Sequence, residues 1–371
     1  MFVLFLSCSI AIIVIWGGYP VFVALVATAR RTGTRSARSG QVPVTVVIAT
    51  AEPIEVVNAR VRDVLEADYP TALLDVVVSV DYQAEWSDEA RYLRDPRLHI
   101  VRGDAPGGKA AALNAGARHA RGEILVFTDS AQRFDRSAVR TLVDALGDPE
   151  LGAVSGALHL QMDAGSMSLP QRYWRYERWL RFQEAKLHST VGVTGAVYAL
   201  RRSCWQPLPA GLILDDVFVP MRVVLAGQRV GFEPAARAFD ERMFSASQEL
   251  RRKARTLTGV MQLCAWLPSV LVPWRNPIWG QFLFHKLLRL LTPYLLIGAA
   301  VGLAGWVSAF IARVAPQAGL PVMVGGVVCI LLLIVANRSL RRTVHMAAAL
   351  QLAVMRATLN GLRGEWDVWH R

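Results

Sequence analysis

Cysteine and histidine are scarce, at 4 and 7 of 371 residues. Cys8, Cys204, Cys264 and Cys329 are scattered without metal-ligand spacing, which argues against a zinc site and reads as reduced structural thiols. His99, His119, His159 and His188 show no ligand pattern, and His285 sits beside Lys286, so a histidine-held metal is not expected. No Ser/His/Asp set presents itself. Lys109 follows two glycines, yet the glycine spacing is wrong for a Walker A loop and no Ser or Thr follows the lysine. Internal repeats beyond an α/β alternation are missing, as are low-complexity tracts. No aromatic-and-basic stripe of the single-strand-binding kind accompanies the net charge of +12, so nucleic acid is not the expected partner.

Charge is also absent before Arg30. Met1 to Ala29 is therefore an apolar run ample to cross a hydrocarbon core of about 30 Å. It reads as a retained anchor. A cleaved signal peptide is the alternative, but there is no basic n-region and no clear small-residue cleavage site. Arg30, Arg31, Arg35 and Arg38 follow, and the positive-inside rule places this flank in the cytoplasm. Leu290 to Ile311 and Leu320 to Ala336 are the next two spans, joined by an external Arg313–Gly319 hairpin, with Arg338, Arg341 and Arg342 cytoplasmic again. Met346 to Leu359 carries Gln351 and Arg356, and reads equally as a third span or as a surface helix. The basic excess at 30–38, 251–255 and 338–342 lies beside these segments, where anionic membrane lipid accounts for it. A multi-pass protein of a bacterial-type inner (plasma) membrane, with a cytoplasmic domain, is expected.

The middle of the chain alternates strands and helices. Pro43 to Thr50 is a β-branched run of the buried parallel kind, followed by a helix over Ile54 to Glu66. Strands follow at Leu73 to Val80, Leu98 to Val101, Ile124 to Phe127 and Gly152 to Leu158. Helices are predicted at 109–120 and Ser137 to Leu146, and Arg172 to His188 is a long amphipathic segment rich in Trp, Tyr and Arg. Val193 to Leu200, Leu214 to Leu225 and Arg229 to Ala235 supply strand, helix and strand, and Gln248 to Leu263 a basic-then-apolar helix. This pattern predicts a mostly parallel, doubly wound α/β sheet. The expected organisation is an N-terminal membrane helix (1–29), a cytoplasmic domain (40–262), an amphipathic interfacial segment with prolines among tryptophans (263–288), a C-terminal membrane region (289–360) and a tail (361–371).

Carboxylates fall where a crevice at strand ends would need them. Glu52 follows the first strand, Asp81 ends the second, Asp129 ends the strand after the Gly107-Gly108-Lys109 turn, and Asp215-Asp216 opens a helix. Such groups can bond a base or ribose, hold a divalent cation on a diphosphate, or take a proton from a hydroxyl. The alternative for any one of them is a cap or turn role. A glycine turn with a lysine at a helix start suits an anion. Arg251, Arg252, Lys253 and Arg255 form the densest basic cluster. Arg252 and Arg255 lie one turn apart and can face one diphosphate, or else a lipid headgroup.

This ordered set resembles the membrane-integrated family 2 glycosyltransferases of GT-A fold, which include hyaluronan, chitin and cellulose synthases, and among them the shorter bacterial members. The likeness lies in Thr50-Ala51-Glu52, Asp81, Gly108-Lys109 through Leu113-Asn114, the Gly195–Leu200 stretch with Arg201, and Leu214-Asp215-Asp216. It implies an inverting hexosyl transfer from a nucleotide sugar, in the first instance a UDP-sugar, to a glycan acceptor in polysaccharide synthesis. Single-sugar transfer to a membrane lipid is the alternative. A chain-elongating role would bring export or polymerisation partners. Asp216, paired with Asp215, would be the base. Thr50, Glu52, Asp81, Gly108, Lys109, Asn114, Asp129, Arg252 and Arg255 would bind the donor, and Asp129 would hold Mg2+ or Mn2+. Two departures stand out. Asp129-Ser130-Ala131 lacks the second acid or amide of the family's metal motif, and Arg252–Thr256 keeps the arginine but not the glutamine and tryptophan of the processive synthases.

Overall fold

The computed structural model describes residues 1–29, 41–86, 93–160, 169–242, 246–314, 326 and 335–366. The uncharged N-terminal run forms one helix, Phe2–Ala29 (α1), long and apolar enough to cross a membrane. Contacts divide the chain into two units: Val23–Met243 with Leu263–Gln281, and Met1–Phe22 with Phe244–Gln262 and Phe282–Arg371.

The first of these units is built on a sheet whose central strand, Val44–Thr50 (β1), is buried at every position. A strand apolar on both faces needs cover on both, and helices supply it. Ile54–Leu65 (α2) turns Val57, Val61 and Val64 inward, and the sheet continues with Leu74–Val80 (β2) and Leu98–Arg102 (β3). Lys109–His119 (α3) follows, then Ile124–Asp129 (β4), the two-residue strand Arg133–Phe134 (β5) and Ala138–Ala145 (α4). Leu151–Leu160 (β6), Leu169–Leu187 (α5), Tyr198–Arg201 (β7), Asp215–Leu225 (α6) and Arg229–Asp240 (β8) complete it. The strand order is β3-β2-β1-β4-β7-β6-β8-β5.

The sheet is mixed rather than mostly parallel. β7 runs antiparallel to both β4 and β6, and β5 antiparallel to β8, while the β3-β2-β1-β4 half and the β6–β8 pair are parallel. The strand expected from Val193 is correspondingly short. Residues 190–194 give their amides away from any ladder: Thr190 to Val230 O (3.0 Å), Val193 to Asp216 O (2.8 Å) and Thr194 to Ser155 Oγ (2.9 Å). That stretch stays irregular, and the strand begins at Tyr198. β8, in turn, runs five residues beyond the expected Ala235.

α3 lies close on the sheet because its inner face is small. Ala112, Ala115 and Gly116 are buried there, and a Cβ on Gly116 would sit 2.5 Å from Cγ1 of Val47.

In the second unit Ala246–Trp266 (α7) enters, Trp279–Val314 (α8) is the other described helix apolar enough to span a membrane, and Arg338–Arg363 (α9) follows. Small residues let α1 and α8 touch backbone to backbone: a Cβ on Gly302 would lie 2.5 Å from the Phe5 amide nitrogen. The span expected at Leu320 to Ala336 falls mostly outside the described residues. Met346 to Leu359 lies within α9, whose first turn is capped by the Asn337 side chain on the Leu340 amide (3.1 Å).

Gly116→Val should overpack the α3–β1 contact and cost about 2 kcal/mol, read as a lowered Tm of the detergent-solubilised protein. An unchanged Tm would show that helix and strand have room to spare.

Candidate active site

Because β1, β2 and β4 are parallel, their C-terminal ends lie along one edge, with Thr50, Val80 and Asp129 as the last residues. Beside that edge the chain turns through Gly107 and Gly108, at φ 101° and 93°, a left-handed region that L side chains avoid. Asp81 builds this turn. Its carboxylate accepts the Gly108 amide at 2.6 Å and the Gln83 amide at 2.9 Å, and Gln83 Nε2 donates to Pro106 O at 2.9 Å. The turn starts α3 at Lys109, and Lys109 Nζ comes within 3.1 Å of Asp129 Oδ1 and 3.4 Å of Asp215 Oδ2.

Asp215 and Asp216 occupy the first turn of α6, where the unpaired amides of a helix start favour negative charge. Their surroundings differ. The Asp215 side chain is 12% exposed and committed to Lys109, whereas that of Asp129, at its open strand end, is 38% exposed. Asp216 accepts the Val193 amide on its backbone oxygen, and Gly195 lies above it: a Cβ there would be 3.5 Å from Asp216 Cβ and 3.8 Å from Lys109 Nζ. Gly195 thus lies next to both Asp216 and the ammonium, where a Cβ would be in ordinary contact with each.

The supports lie one layer out. Thr50 Oγ1 donates to Ser130 Oγ (3.1 Å) and accepts the Glu52 amide (3.0 Å), and buried Arg60 reaches Ser130 O (3.3 Å), so the turn after Asp129 is held from β1 and α2. Gln132 donates to Asp240 (2.8 Å), which also takes Arg242 Nε (3.1 Å).

Residues 41–259 match the family described as glycosyltransferase-like family 2. The chain belongs to that family. Over 97% of its length, and 99% of the other chain, it superposes on the Pyrobaculum calidifontis mannosyltransferase PcManGT, solved with GDP-Man and Mn2+, at 20% identity and TM-score 0.67. GalNAc-T7, solved with UDP, GalNAc and Mn2+, is similar over 60% of this chain and 48% of its own, at 12% identity and TM-score 0.41. No curated protein compared matches the chain. The mixed sheet with helices on both faces is the GT-A fold, and the protein is a glycosyltransferase.

In this glycosyltransferase Lys109, Asp129, Asp215 and Asp216 come together, with the Gly108 turn, Thr50 and Glu52 alongside. Asp81, half-buried, serves the turn with both carboxylate oxygens. Asn114, expected to line the donor site, instead ties the 205–212 loop to α3: its amide donates to Leu208 O (2.9 Å) and its carbonyl accepts the Leu208 amide (2.8 Å). Arg252 and Arg255 lie on α7, among the residues of the other unit. Tyr198 belongs to the Gly195–Leu200 stretch noted in the sequence, whereas Arg242 was not anticipated. Arg242 sits just past the longer β8, and Asp240, Asp129 and Glu52 together raise its pKa, the Asp240 hydrogen bond most of all. The alternation through Ala235–Asp240 carries the strand to Asp240, two residues before Arg242.

Burial alone would depress the Lys109 pKa. Asp129 first, then Asp215 and Asp216, outweigh it and hold the ammonium above its ordinary range. Tyr198, buried and stacked on Phe127 at 4.8 Å, has its pKa raised by burial and then by Asp215, Asp216 and Asp129, so its hydroxyl stays protonated.

A raised folded-state pKa makes the charge's stabilising share complete below the unfolded value of about 10.4 and lets it fall only as pH rises beyond that. The Tm difference between wild type and Lys109→Met should therefore be constant from about pH 6 to pH 9. A difference that shrank across that window would show that Lys109 is not held as a cation.

Proposed function

We propose that the enzyme transfers a sugar, with inversion, from a nucleotide-diphosphate-sugar donor to an acceptor hydroxyl at a membrane surface. The observation that carries this reading is the Lys109 ammonium between Asp129 and Asp215, with Asp216 beside it next to Gly195. Asp216 takes the acceptor proton, since Asp215 is already paired with Lys109. The acceptor oxygen then bonds to the anomeric carbon as the carbon–oxygen bond to the diphosphate breaks. The charge released develops beside Lys109, with Arg242 close enough to Asp129 and Glu52 to feel both. The P. calidifontis structure, with GDP-Man and Mn2+, supports a nucleotide-sugar donor and a divalent cation. A UDP-sugar, the first expectation, and a GDP-sugar are both consistent with this geometry.

The residues present fit a cation that arrives on the donor's phosphates. Among the described residues no group of three or more His, Cys, Asp or Glu could hold a resident metal. Mg2+ and Mn2+ sites built from one or two carboxylates plus substrate phosphates are common, and open Asp129 supplies such a carboxylate. Bound there, the cation would neutralise the departing diphosphate.

α1 and α8 support attachment to a membrane, and the arginines at 30–38 favour a cytoplasmic domain. Addition to a growing glycan is one use of such a site. Single-sugar transfer to a membrane lipid is favoured by Thr256, which stands where the processive synthases have tryptophan. Mass analysis separates the two, as a ladder of chain lengths against one product.

Asp216→Asn should lower kcat by about 10²–10⁴-fold while leaving nucleotide binding within twofold (roughly), as read by transfer assay and calorimetry. Full turnover would remove Asp216 from the role of base. Asp129→Ala should abolish the strengthening of nucleotide-diphosphate binding by Mn2+ while leaving the metal-free binding in place. The same Mn2+ dependence in the variant would refute Asp129 as the ligand.

A further inference from the structure

Two sets of basic side chains lie on segments that neighbour Asp216 or Asp129. Lys109 and Arg242 lie toward Asp129, where the donor diphosphate is placed. The second group is on α5 and has no part in that chemistry. Arg181 Nη1 lies 3.4 Å from Thr194 Oγ1 and 3.5 Å from Val193 O, and Val193 donates its amide to the backbone oxygen of Asp216. The residue after Thr194 is Gly195, which borders Asp216. Arg178, one turn back on the same face of α5, lies against the end of β6, 3.4 Å from Leu158 O and 3.3 Å from His159 Nδ1.

Among the described residues neither arginine makes an ion pair with a carboxylate, and Arg181 Nε is buried without a hydrogen-bond partner. A guanidinium has five N–H donors, and the contacts named use few of them. The patch is also self-repelling. The Arg178 pKa is lowered by burial and then by the charge of Arg175, and that of His159 by burial and then by Arg178 and Arg237. Half-buried guanidinium groups one turn apart, with no carboxylate ion pair among the described residues, suit a planar or tetrahedral oxyanion that takes forked hydrogen bonds. Trp174, Tyr176 and Trp179 on the same helix suit a place where the anion's other end is apolar.

We infer that the acceptor is anionic, a phosphate ester whose phosphate rests on Arg178 and Arg181 while its hydroxyl meets Asp216. This rests on the reading of Asp216 as the base. Phosphate is favoured over carboxylate because its three oxygens can serve both guanidinium groups at once. The phosphate can belong to a soluble sugar or polyol phosphate or to a lipid headgroup.

The test uses the full-length protein in nanodiscs, with its donor site first saturated by GDP or UDP and Mn2+. Inositol 1-phosphate, inositol and glucuronate are then titrated by calorimetry, and phosphatidylinositol is compared with diacylglycerol as the nanodisc lipid. Binding of inositol 1-phosphate but not inositol is expected, weakened about tenfold or more in Arg181→Gln and Arg178→Gln by loss of a charge-assisted hydrogen bond. Preference for phosphatidylinositol over the free phosphate identifies the lipid source, and the reverse a soluble one; both support the inference. Equal binding of inositol, stronger binding of glucuronate, or an unchanged affinity in both arginine variants would overturn it. Failure of the nucleotide to bind wild type would instead count against the donor reading, and the phosphate titration without nucleotide then decides this inference separately.

Discussion

Everything in the catalytic unit converges on one ammonium. Lys109 stands between a carboxylate at the end of β4 and another at the start of α6, two segments far apart in sequence. Without a cation between them these acids would repel, and the charged site could not be held at the protein's ordinary pH. The lysine reaches that point only because the Gly107-Gly108 turn adopts positive φ, and the turn holds its shape because Asp81 takes its amides. The parallel pairing of β1 with β2 and β4 places Asp81 and Asp129 at the same edge. A local turn, a sheet register and a helix start therefore meet in one ion-pair cluster.

The cluster also assigns different tasks to residues of like chemistry. Asp215 is paired with Lys109 and largely buried, Asp129 is open, and Asp216 lies next to Gly195. The same logic separates the arginines. Arg60 is spent on Ser130 O and on its ion pair with Asp63, and Arg242 on Asp240, so both brace the loop after Asp129. Among the described residues Arg178 and Arg181 make no ion pair with a carboxylate and bond to neutral groups.

Much of this was legible before the fold was known. β1, β2 and β4 announce themselves as β-branched runs, because a strand covered on both faces has no polar side to show. Asp129 and the Asp215–Asp216 pair stood out because each follows or opens such an element. Asn114 was legible only as a motif member and Asp81 as a carboxylate at a strand end, but neither partner could be read. Their side chains turn to the backbone of Leu208 and of the glycine turn, a choice set by neighbours that local sequence does not name. The short β7 was misjudged for a similar reason. Val193 and Thr194 look like strand residues, but their amides are claimed by Asp216 O and Ser155 Oγ from other segments.

The sequence by itself determined the membrane-suited helices, the α/β alternation and the residues able to do acid–base and phosphate chemistry, since each follows from local periodicity, side-chain type and spacing. Only the tertiary structure decided which of those residues act together. Ion pairing and close approach depend on distances between segments such as 109, 129, 195 and 215–216, and those distances come from strand pairing and close helix packing. The Lys109 bridge, the approach of Gly195 to Asp216 and the arginine pair on α5 are properties of that arrangement alone.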